Sequence, residues 1–208
     1  MLDYEVNIYS QGYNLIVGCD EAGRGPLCGP VVCAACILPP NYKNEEINDS
    51  KKISEKKREK LFEIIKRDAI AYAIVCISSQ EIDAINIYEA SRKGMLDAIE
   101  ALNVKPDYIL TDAMPLKKFK DIPQEALIKG DAKAINIAAA SILAKVTRDK
   151  ILDEYDLLYP QYEFKKHKGY PTKKHLELLD IYGPIKEIYR YSYGPVKKFT
   201  YEQMKLDI

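Results

Sequence analysis

A helical repeat of small apolar residues in the second half of the chain restricts the fold most. Apolar side chains recur at offsets of 0, 3, 4, 7, 8 and 11 from residue 135, which predicts a narrow apolar stripe along one helix: Ile135, Ala138, Ala139, Ile142, Leu143 and Val146. Small side chains along this stripe favour close packing on a sheet. A helix-covered sheet is therefore expected.

Short apolar segments supply the strands of that sheet. Residues 14–19, 31–38 and 69–77 predict three early strands, and residues 108–111 and 126–128 predict two later ones. The early strands follow one another as antiparallel neighbours would, whereas the later strands alternate with predicted helices, such as residues 87–102. Ser54 is the expected N-cap of a further helix. The pattern predicts an α/β fold with a mixed sheet flanked by helices.

The last quarter of the chain differs in composition. From about residue 160 it becomes basic and rich in tyrosine, and helices are predicted at 172–182 and 184–191. We expect residues 1–160 to form the main domain. Residues 161–208 are expected to form a small helical C-terminal lobe in the same compact unit.

Charge and cysteine content narrow the class of protein. The 208 residues carry 31 basic and 31 acidic side chains, but residues 163–175 alone hold five lysines and both histidines. Such a segregated basic segment suits a polyanion. No apolar run reaches the roughly 18 residues of a membrane helix. The odd number of cysteines, five, predicts free thiols in a reducing compartment. A soluble, cytoplasmic protein without membrane contact is expected.

Four acidic residues stand where α/β sheets bind ligands. Asp20 and Glu21 end one predicted strand, Asp112 ends another, and Asp131 precedes the long helix. Oxygen ligands without suitably spaced cysteine or histidine favour Mg²⁺ or Mn²⁺ over Zn²⁺. The alternative is that each acid caps a helix or closes a turn, as Asp131 beside Gly130 illustrates.

The chain resembles a known family along most of its length. Four ordered segments are similar to the signatures of type 2 ribonucleases H, the ribonuclease HII family: VGCDEAGRGPL at 17–27, DSKKIS at 49–54, KGD at 129–131 followed by IAAASILAKVTRD at 137–149, and HKGYPT at 167–172. The resemblance extends over roughly residues 14–200. It implies a ribonuclease H-like fold.

The resemblance also implies roles for individual residues. Asp20, Glu21, Asp112 and Asp131 fall at the positions of the metal-binding catalytic carboxylates, and the match is looser around Asp112. Gly23, Arg24 and Gly25 fall in the loop that recognises the ribose 2′-hydroxyl. Tyr170 corresponds to the tyrosine that stacks on the following deoxyribose, and Lys51 and Lys145 fall in segments near substrate phosphates. Ala132 departs from the family, in which serine is common.

The implied activity is endonucleolytic hydrolysis of RNA paired with DNA, including cleavage 5′ of a single ribonucleotide in duplex DNA. Two Mg²⁺ or Mn²⁺ ions would activate water and stabilise the leaving oxygen, and the products would carry a 3′-hydroxyl and a 5′-phosphate. The expected partners are RNA/DNA hybrids and ribonucleotide-containing DNA. The protein itself is expected to be a monomer.

Three other functions remain open at this stage. A type 3 ribonuclease H shares the fold but usually carries an additional N-terminal domain, and only 13 residues precede the first predicted strand. A non-catalytic nucleic-acid binder would not need four acids, and a dimetal phosphatase would not need the basic segment. Gln203 and Leu206 have the spacing of a sliding-clamp peptide without its aromatic pair, which is a weak indication of a clamp partner.

Overall fold

Five strands form one mixed sheet. The computed structural model describes residues 3–48, 50 and 53–206, without the side chains of residue 3 and of 201–206. The strands lie in the order β3-β2-β1-β4-β5; β1, β2 and β3 pair antiparallel, and β4 pairs parallel with both β1 and β5. Their bounds are β1 Ile16–Ala22, β2 Val31–Ile37, β3 Ala71–Ile77, β4 Tyr108–Asp112 and β5 Gln124–Leu127. The predicted mixed sheet is confirmed.

Helices cover both faces of this sheet. They are α1 Asp3–Ser10, α2 Glu55–Asp68, α3 Ser79–Ile85, α4 Ile87–Glu100, α5 Ile135–Leu158, α6 Phe164–His167, α7 Lys173–Tyr182 and α8 Gly194–Leu206. Ser54 caps α2 as predicted, because its side chain accepts a hydrogen bond from the Lys57 amide. Within the part of the chain that the structure describes, none of the helices has the length and apolar character needed to cross a membrane.

Alternation along β2 divides the core between the two faces. Val32, Ala34 and Cys36 pack with α2 and α5, whereas Cys33 and Ala35 pack with α4 on the other side. A strand directs successive side chains to opposite faces, so Cys33 and Cys36 belong to different clusters. Both thiols are buried and free, as expected for small core residues.

Helix α5 runs along β1 at very short range. A Cβ on Gly18 would lie 2.1 Å from the carbonyl carbon of Asn136, so only glycine permits this approach. Farther along, Ser141 hydrogen-bonds the Asp20 side chain, and Arg148 reaches beneath Gly23. The predicted small-residue stripe therefore brings α5 along β1, which carries Asp20 and Glu21 near its end.

The C-terminal segment departs from prediction at one point. Residues 173–182 are helical as expected, but the helix predicted at 184–191 is wrong. Gly183 and Pro184 end α7, and the backbone then pairs with residues 27–29: the Gly29 amide donates to Ile188, and the Arg190 amide donates to Leu27. Long-range pairing replaces helical hydrogen bonds here. The division of the chain at residue 160 stays a prediction.

Candidate active site

The candidate carboxylates gather at one end of β1 and β4. Cys19 pairs with Thr111, so Asp20 and Asp112 follow directly on adjacent parallel strands. Asp20 is only 4% exposed and Asp131 is also buried. Asp131 lies in a short 3₁₀ turn, Gly130–Ala132, which is tied to β4 because the Gly130 amide donates to Asp112 Oδ1 at 2.8 Å. Three separate elements thus deliver the four predicted acids to one region.

Negative charge is crowded around Asp20. Burial raises the pKa of its carboxyl well above the ordinary value, and the nearby Glu21 and Asp112 carboxylates raise it further. The Ser141 hydroxyl and the Glu21 amide, which lies 2.7 Å from Asp20 Oδ1, donate hydrogen bonds that oppose this shift. The burial effect is larger. Ionised Asp20 would therefore be stabilised by a cation at this position.

The donor set fits a hard divalent ion, although its side chains have other partners in this structure. Glu21 Oε1 lies 3.2 Å from the Arg24 guanidinium, and Asp112 accepts from Gly130. Among the described residues, no three histidine, cysteine or acidic side chains are arranged as a ready metal site. Arg24 contacts only one of the two carboxylate oxygens of Glu21. All four candidates offer only carboxylate oxygens, which suits Mg²⁺ or Mn²⁺.

A cavity of about 220 Å³ opens beside these acids. Six residues predicted from the sequence line it: Glu21, Gly23, Arg24, Gly25, Lys145 and Tyr170. Ser50, Ser141 and Arg148 complete much of its wall, and the Ser50 and Ser141 hydroxyls are 2.9 Å apart. Asp20, Asp112 and Asp131 do not belong to this wall, and Lys51 lies outside the described residues. The cavity joins segments that are far apart in the sequence.

Gly23 is required by the shape of the loop that follows β1. Its φ of +102° is a conformation that side chains disfavour, and a Cβ there would lie 2.1 Å from Arg148 Nε. Gly25 differs, because a Cβ there would meet only the ring of Tyr170, 3.5 Å from Cε1. The first glycine therefore shapes the loop, and the second leaves space in front of Tyr170.

Tyr170 is presented to this cavity by two buried histidines. Its backbone carbonyl is 2.9 Å from His175 Nδ1, and its amide donates to the carbonyl of His167. The two imidazoles stack at 3.9 Å, and burial lowers the pKa of both, that of His175 to about 4. The neutral histidine rings thus hold the backbone of Tyr170 in place, while its side chain is 45% exposed. Such exposure is not that of a tyrosine packed beneath its own loop.

Lys145 reaches the cavity from α5. Its ammonium is 2.7 Å from Asp149 Oδ1 one turn later, and Arg58 approaches the other oxygen of the same carboxylate at 3.8 Å. Burial lowers the pKa of Lys145. The ion pair with Asp149 opposes that shift and fixes the direction of the lysine.

Two buried arginines beneath the loop were not given a role by sequence reasoning. Arg148 donates to the carbonyls of Cys28, Pro30 and Lys168. Arg190 donates to carbonyls between residues 23 and 29. No local pattern distinguishes these arginines from surface cations, because the carbonyls that they bind are more than 100 residues away, except for that of Lys168.

Comparison with known proteins agrees with this geometry. The family model described as Ribonuclease HII matches residues 17–195. The chain belongs to the ribonuclease HII family. Family members are ribonucleases H, enzymes that hydrolyse RNA paired with DNA, and this chain is an enzyme of that class.

Individual relatives extend the match over nearly the whole chain. Ribonuclease HII of Acholeplasma laidlawii is 53% identical over 197 residues, which cover 95% of this chain and 96% of the relative. Ribonuclease HII of Listeria innocua is 51% identical, covering 99% of this chain and 78% of the relative. The crystal structure of ribonuclease H2 from Pyrococcus horikoshii superposes with a TM-score of 0.77 at 27% identity, covering 91% and 99% of the two chains. The ribonuclease H-like fold is confirmed.

Proposed function

We propose that the protein cuts RNA/DNA hybrids and also cuts 5′ of a single ribonucleotide in duplex DNA, leaving a 3′-hydroxyl and a 5′-phosphate. One observation carries this proposal. A single cavity joins Glu21, the Gly23–Gly25 loop, Lys145 and Tyr170, directly beside buried Asp20. Acids for metal binding, a glycine loop, a cation and an aromatic ring are the groups that such a cut requires.

Asp20, Glu21, Asp112 and Asp131 are the residues proposed to hold two Mg²⁺ or Mn²⁺ ions. Bound there, the ions would supply Lewis acidity that activates water and stabilises the leaving 3′-oxygen. The chain itself contributes orientation. Ser141 donates to Asp20, and the Gly130 amide donates to Asp112, so neither carboxylate rotates freely.

The Gly23–Gly25 loop is proposed to recognise the ribose. A 2′-hydroxyl donates and accepts hydrogen bonds, and it is the group that separates RNA from DNA at one nucleotide. Backbone groups can approach it closely at Gly25 because no Cβ stands between the loop and the cavity. The exposed Tyr170 ring opposite would stack on the next sugar.

Exposed lysines near Tyr170 are proposed to hold the duplex backbone. Lys165, Lys173 and Lys174 are solvent-exposed around it, and lysines bind phosphates with release of counterions. Lys168 is less suited to this role, because its ammonium is engaged by Asp153. A monomeric state, a cytoplasmic location and a clamp contact through Gln203 and Leu206, whose side chains are not described, stay predictions.

A cleavage assay tests the proposal directly. The substrate is a labelled DNA duplex with one ribonucleotide, compared with all-DNA and 2′-O-methyl duplexes, each with Mg²⁺, with Mn²⁺ and with excess EDTA. We expect one cut 5′ of the ribonucleotide, no cut in either control and no activity in EDTA. Binding without cleavage would indicate a nucleic-acid binder. Cutting of all-DNA duplex would indicate a general nuclease, and either result overturns the proposal.

A further inference from the structure

We propose that Arg190 is a positioning residue for ribonucleotide recognition, acting through the loop between Gly23 and Gly29. Its guanidinium holds the carbonyl groups of this loop and thereby directs the loop amides toward the ribose. The inference rests on the proposed role of the loop in sugar recognition. It adds a residue from the other end of the chain that lies outside the four signature segments of the sequence analysis.

The contacts of Arg190 converge on one loop. Its side chain is fully buried. The distances from its nitrogens to the carbonyl oxygens are 2.7 Å to Gly23, 3.1 Å to Arg24, 2.9 Å to Pro26, and 2.7 and 3.0 Å to Gly29. The planar guanidinium offers five donors in a fixed arrangement, which lysine cannot reproduce. Arg190 therefore fixes four peptide groups of the loop relative to one another.

The direction of these bonds determines where the amides point. In a trans peptide, the carbonyl of one residue and the amide of the next point in opposite directions. Because the Gly23 and Arg24 carbonyls turn toward Arg190, the amides of Arg24 and Gly25 turn away from it. Both residues line the cavity. The buried arginine thus sets the orientation of the donors proposed for the ribose.

The electrostatics of Arg190 distinguish it from an ordinary structural ion pair. Among the described residues, no carboxylate lies within 4.0 Å of its guanidinium, and no other charged group accepts from it. Burial lowers its pKa, and the charge of Asp83, which accepts from the amides of Tyr191 and Ser192, partly opposes this shift. A buried cation costs desolvation energy that neutral carbonyls offset only in part. Its positive charge lies behind the carbonyls of Gly23 and Arg24, two residues that line the cavity.

Two neighbouring side chains, Arg148 and Tyr193, also contact this part of the structure, but neither makes the same set of hydrogen bonds as Arg190. Arg148 donates to Cys28 and Pro30, at the far end of the loop, and to none of the carbonyls of residues 23–25. The Tyr193 hydroxyl donates to Arg24 at 2.7 Å and accepts from Arg190 at 3.0 Å. Tyr193 therefore adds one bond to the same carbonyl without burying a charge. It offers a mild perturbation of the same arrangement.

The test compares Arg190→Met and Arg190→Lys with the full-length wild type. The readouts are kcat, KM and duplex Kd on a single-ribonucleotide substrate, measured well below each Tm, together with NMR signals of the Gly23 and Gly25 amides. We expect Arg190→Met to lower kcat roughly 100-fold with little change in Kd, because the reacting sugar is misplaced. Arg190→Lys should recover part of the loss. Tyr162→Phe is the control: it removes hydrogen bonds to Tyr182 and Gly183 and leaves the loop untouched.

Each outcome decides the inference. Wild-type kcat and unchanged amide signals in Arg190→Met would overturn it, as would an equal loss of kcat in Tyr162→Phe. If Arg190→Met does not fold, Tyr193→Phe replaces it. A selective fall in kcat with shifted Gly25 amide signals in that variant supports the proposal, whereas unchanged kcat and unchanged signals refute it. Failure of the proposed function is separate, because the wild type itself would then not distinguish ribose from deoxyribose.

Discussion

The ring of Tyr170 faces the backbone of Gly25, since a Cβ placed on Gly25 would lie 3.5 Å from Cε1 of that ring. This separation is ordinary van der Waals contact, so the fold itself does not require glycine there. Gly23, two residues earlier, is enclosed by Arg148 and the Pro30 carbonyl. The two glycines of one loop thus serve different purposes.

Alanine at these two positions should separate recognition from stability. Gly25→Ala should leave Tm nearly unchanged and lower cleavage roughly 10-fold or more, because the methyl group occupies space in front of the ribose. Gly23→Ala should destabilise the fold by about 1 to 3 kcal/mol from its positive φ alone, with overlap against Arg148 in addition. Thermal unfolding and single-turnover cleavage measure both effects. Equal Tm losses would contradict the distinction.

Asp20→Asn should abolish turnover while stabilising the metal-free fold. The folded-state pKa of Asp20 lies above its unfolded value, so the carboxyl favours folding most at acidic pH, and this contribution is lost as pH rises through the folded pKa. At neutral pH the variant should have a higher Tm than the wild type in EDTA. Added Mg²⁺ should raise the Tm of the wild type more than that of the variant.

Two further variants complete the metal experiment. Asp112→Asn keeps an oxygen acceptor for the Gly130 amide and should also lose turnover with the fold intact. Asp121→Asn, at an exposed position, is the matched control and should retain activity and Mg²⁺ response. Substantial activity in both Asp20→Asn and Asp112→Asn would refute the metal assignment.

Glu5→Gln should change the pH dependence of stability. Glu5 on α1 is fully buried and accepts from the Asn136 amide at the start of α5, and burial raises its pKa from 4.5 to about 7. Its stabilising effect is complete below pH 4.5 and lost as pH rises to about 7. Glutamine keeps the acceptor without the charge. Relative to the variant, the wild type should lose on the order of 3 kcal/mol between pH 4.5 and 8.

Urea unfolding at pH 5 and pH 8 measures this difference. Glu177→Gln, at an exposed position on α7, serves as the control and should follow the wild type at both pH values. Parallel stability curves for Glu5→Gln and wild type would show that Glu5 does not titrate with folding.

The sequence predicted those parts of the fold that depend on local pattern. The strands and α5 follow from apolar periodicity. Asp20 and Asp112 were predicted as strand-end acids; Asp112 ends β4, whereas β1 continues past Asp20 to Ala22. Distant contacts set the remainder. The predicted helix at 184–191 fails because this segment pairs with residues 27–29. Helix α1 was not predicted, although its Glu5 accepts a hydrogen bond from the Asn136 amide in α5. Arg190 was not assigned a role because the carbonyls that it binds lie more than 160 residues away.

Tyr170→Ala should weaken cleavage at a single ribonucleotide more than it weakens duplex binding. Stacking of a ring in nucleic-acid binding contributes roughly 1 to 3 kcal/mol, and only a substrate with a deoxyribose after the ribonucleotide presents the step that Tyr170 is proposed to sense. An all-RNA hybrid should therefore be affected less. Tyr170→Phe should retain much of the activity if the ring face, rather than the hydroxyl, makes the contact.

Tyr88→Ala is a close control for Tyr170→Ala. Tyr88 lies on α4 and is 43% exposed, nearly as much as Tyr170 at 45%, yet it does not line the cavity. It should leave kcat and KM on both substrates unchanged. The deciding quantity is the ratio of kcat/KM for the single-ribonucleotide duplex to that for the all-RNA hybrid. A fall in this ratio for Tyr170→Ala alone supports recognition of the RNA-to-DNA step. Stacking on any sugar would affect both substrates equally. An unchanged ratio would therefore assign Tyr170 only to general duplex binding.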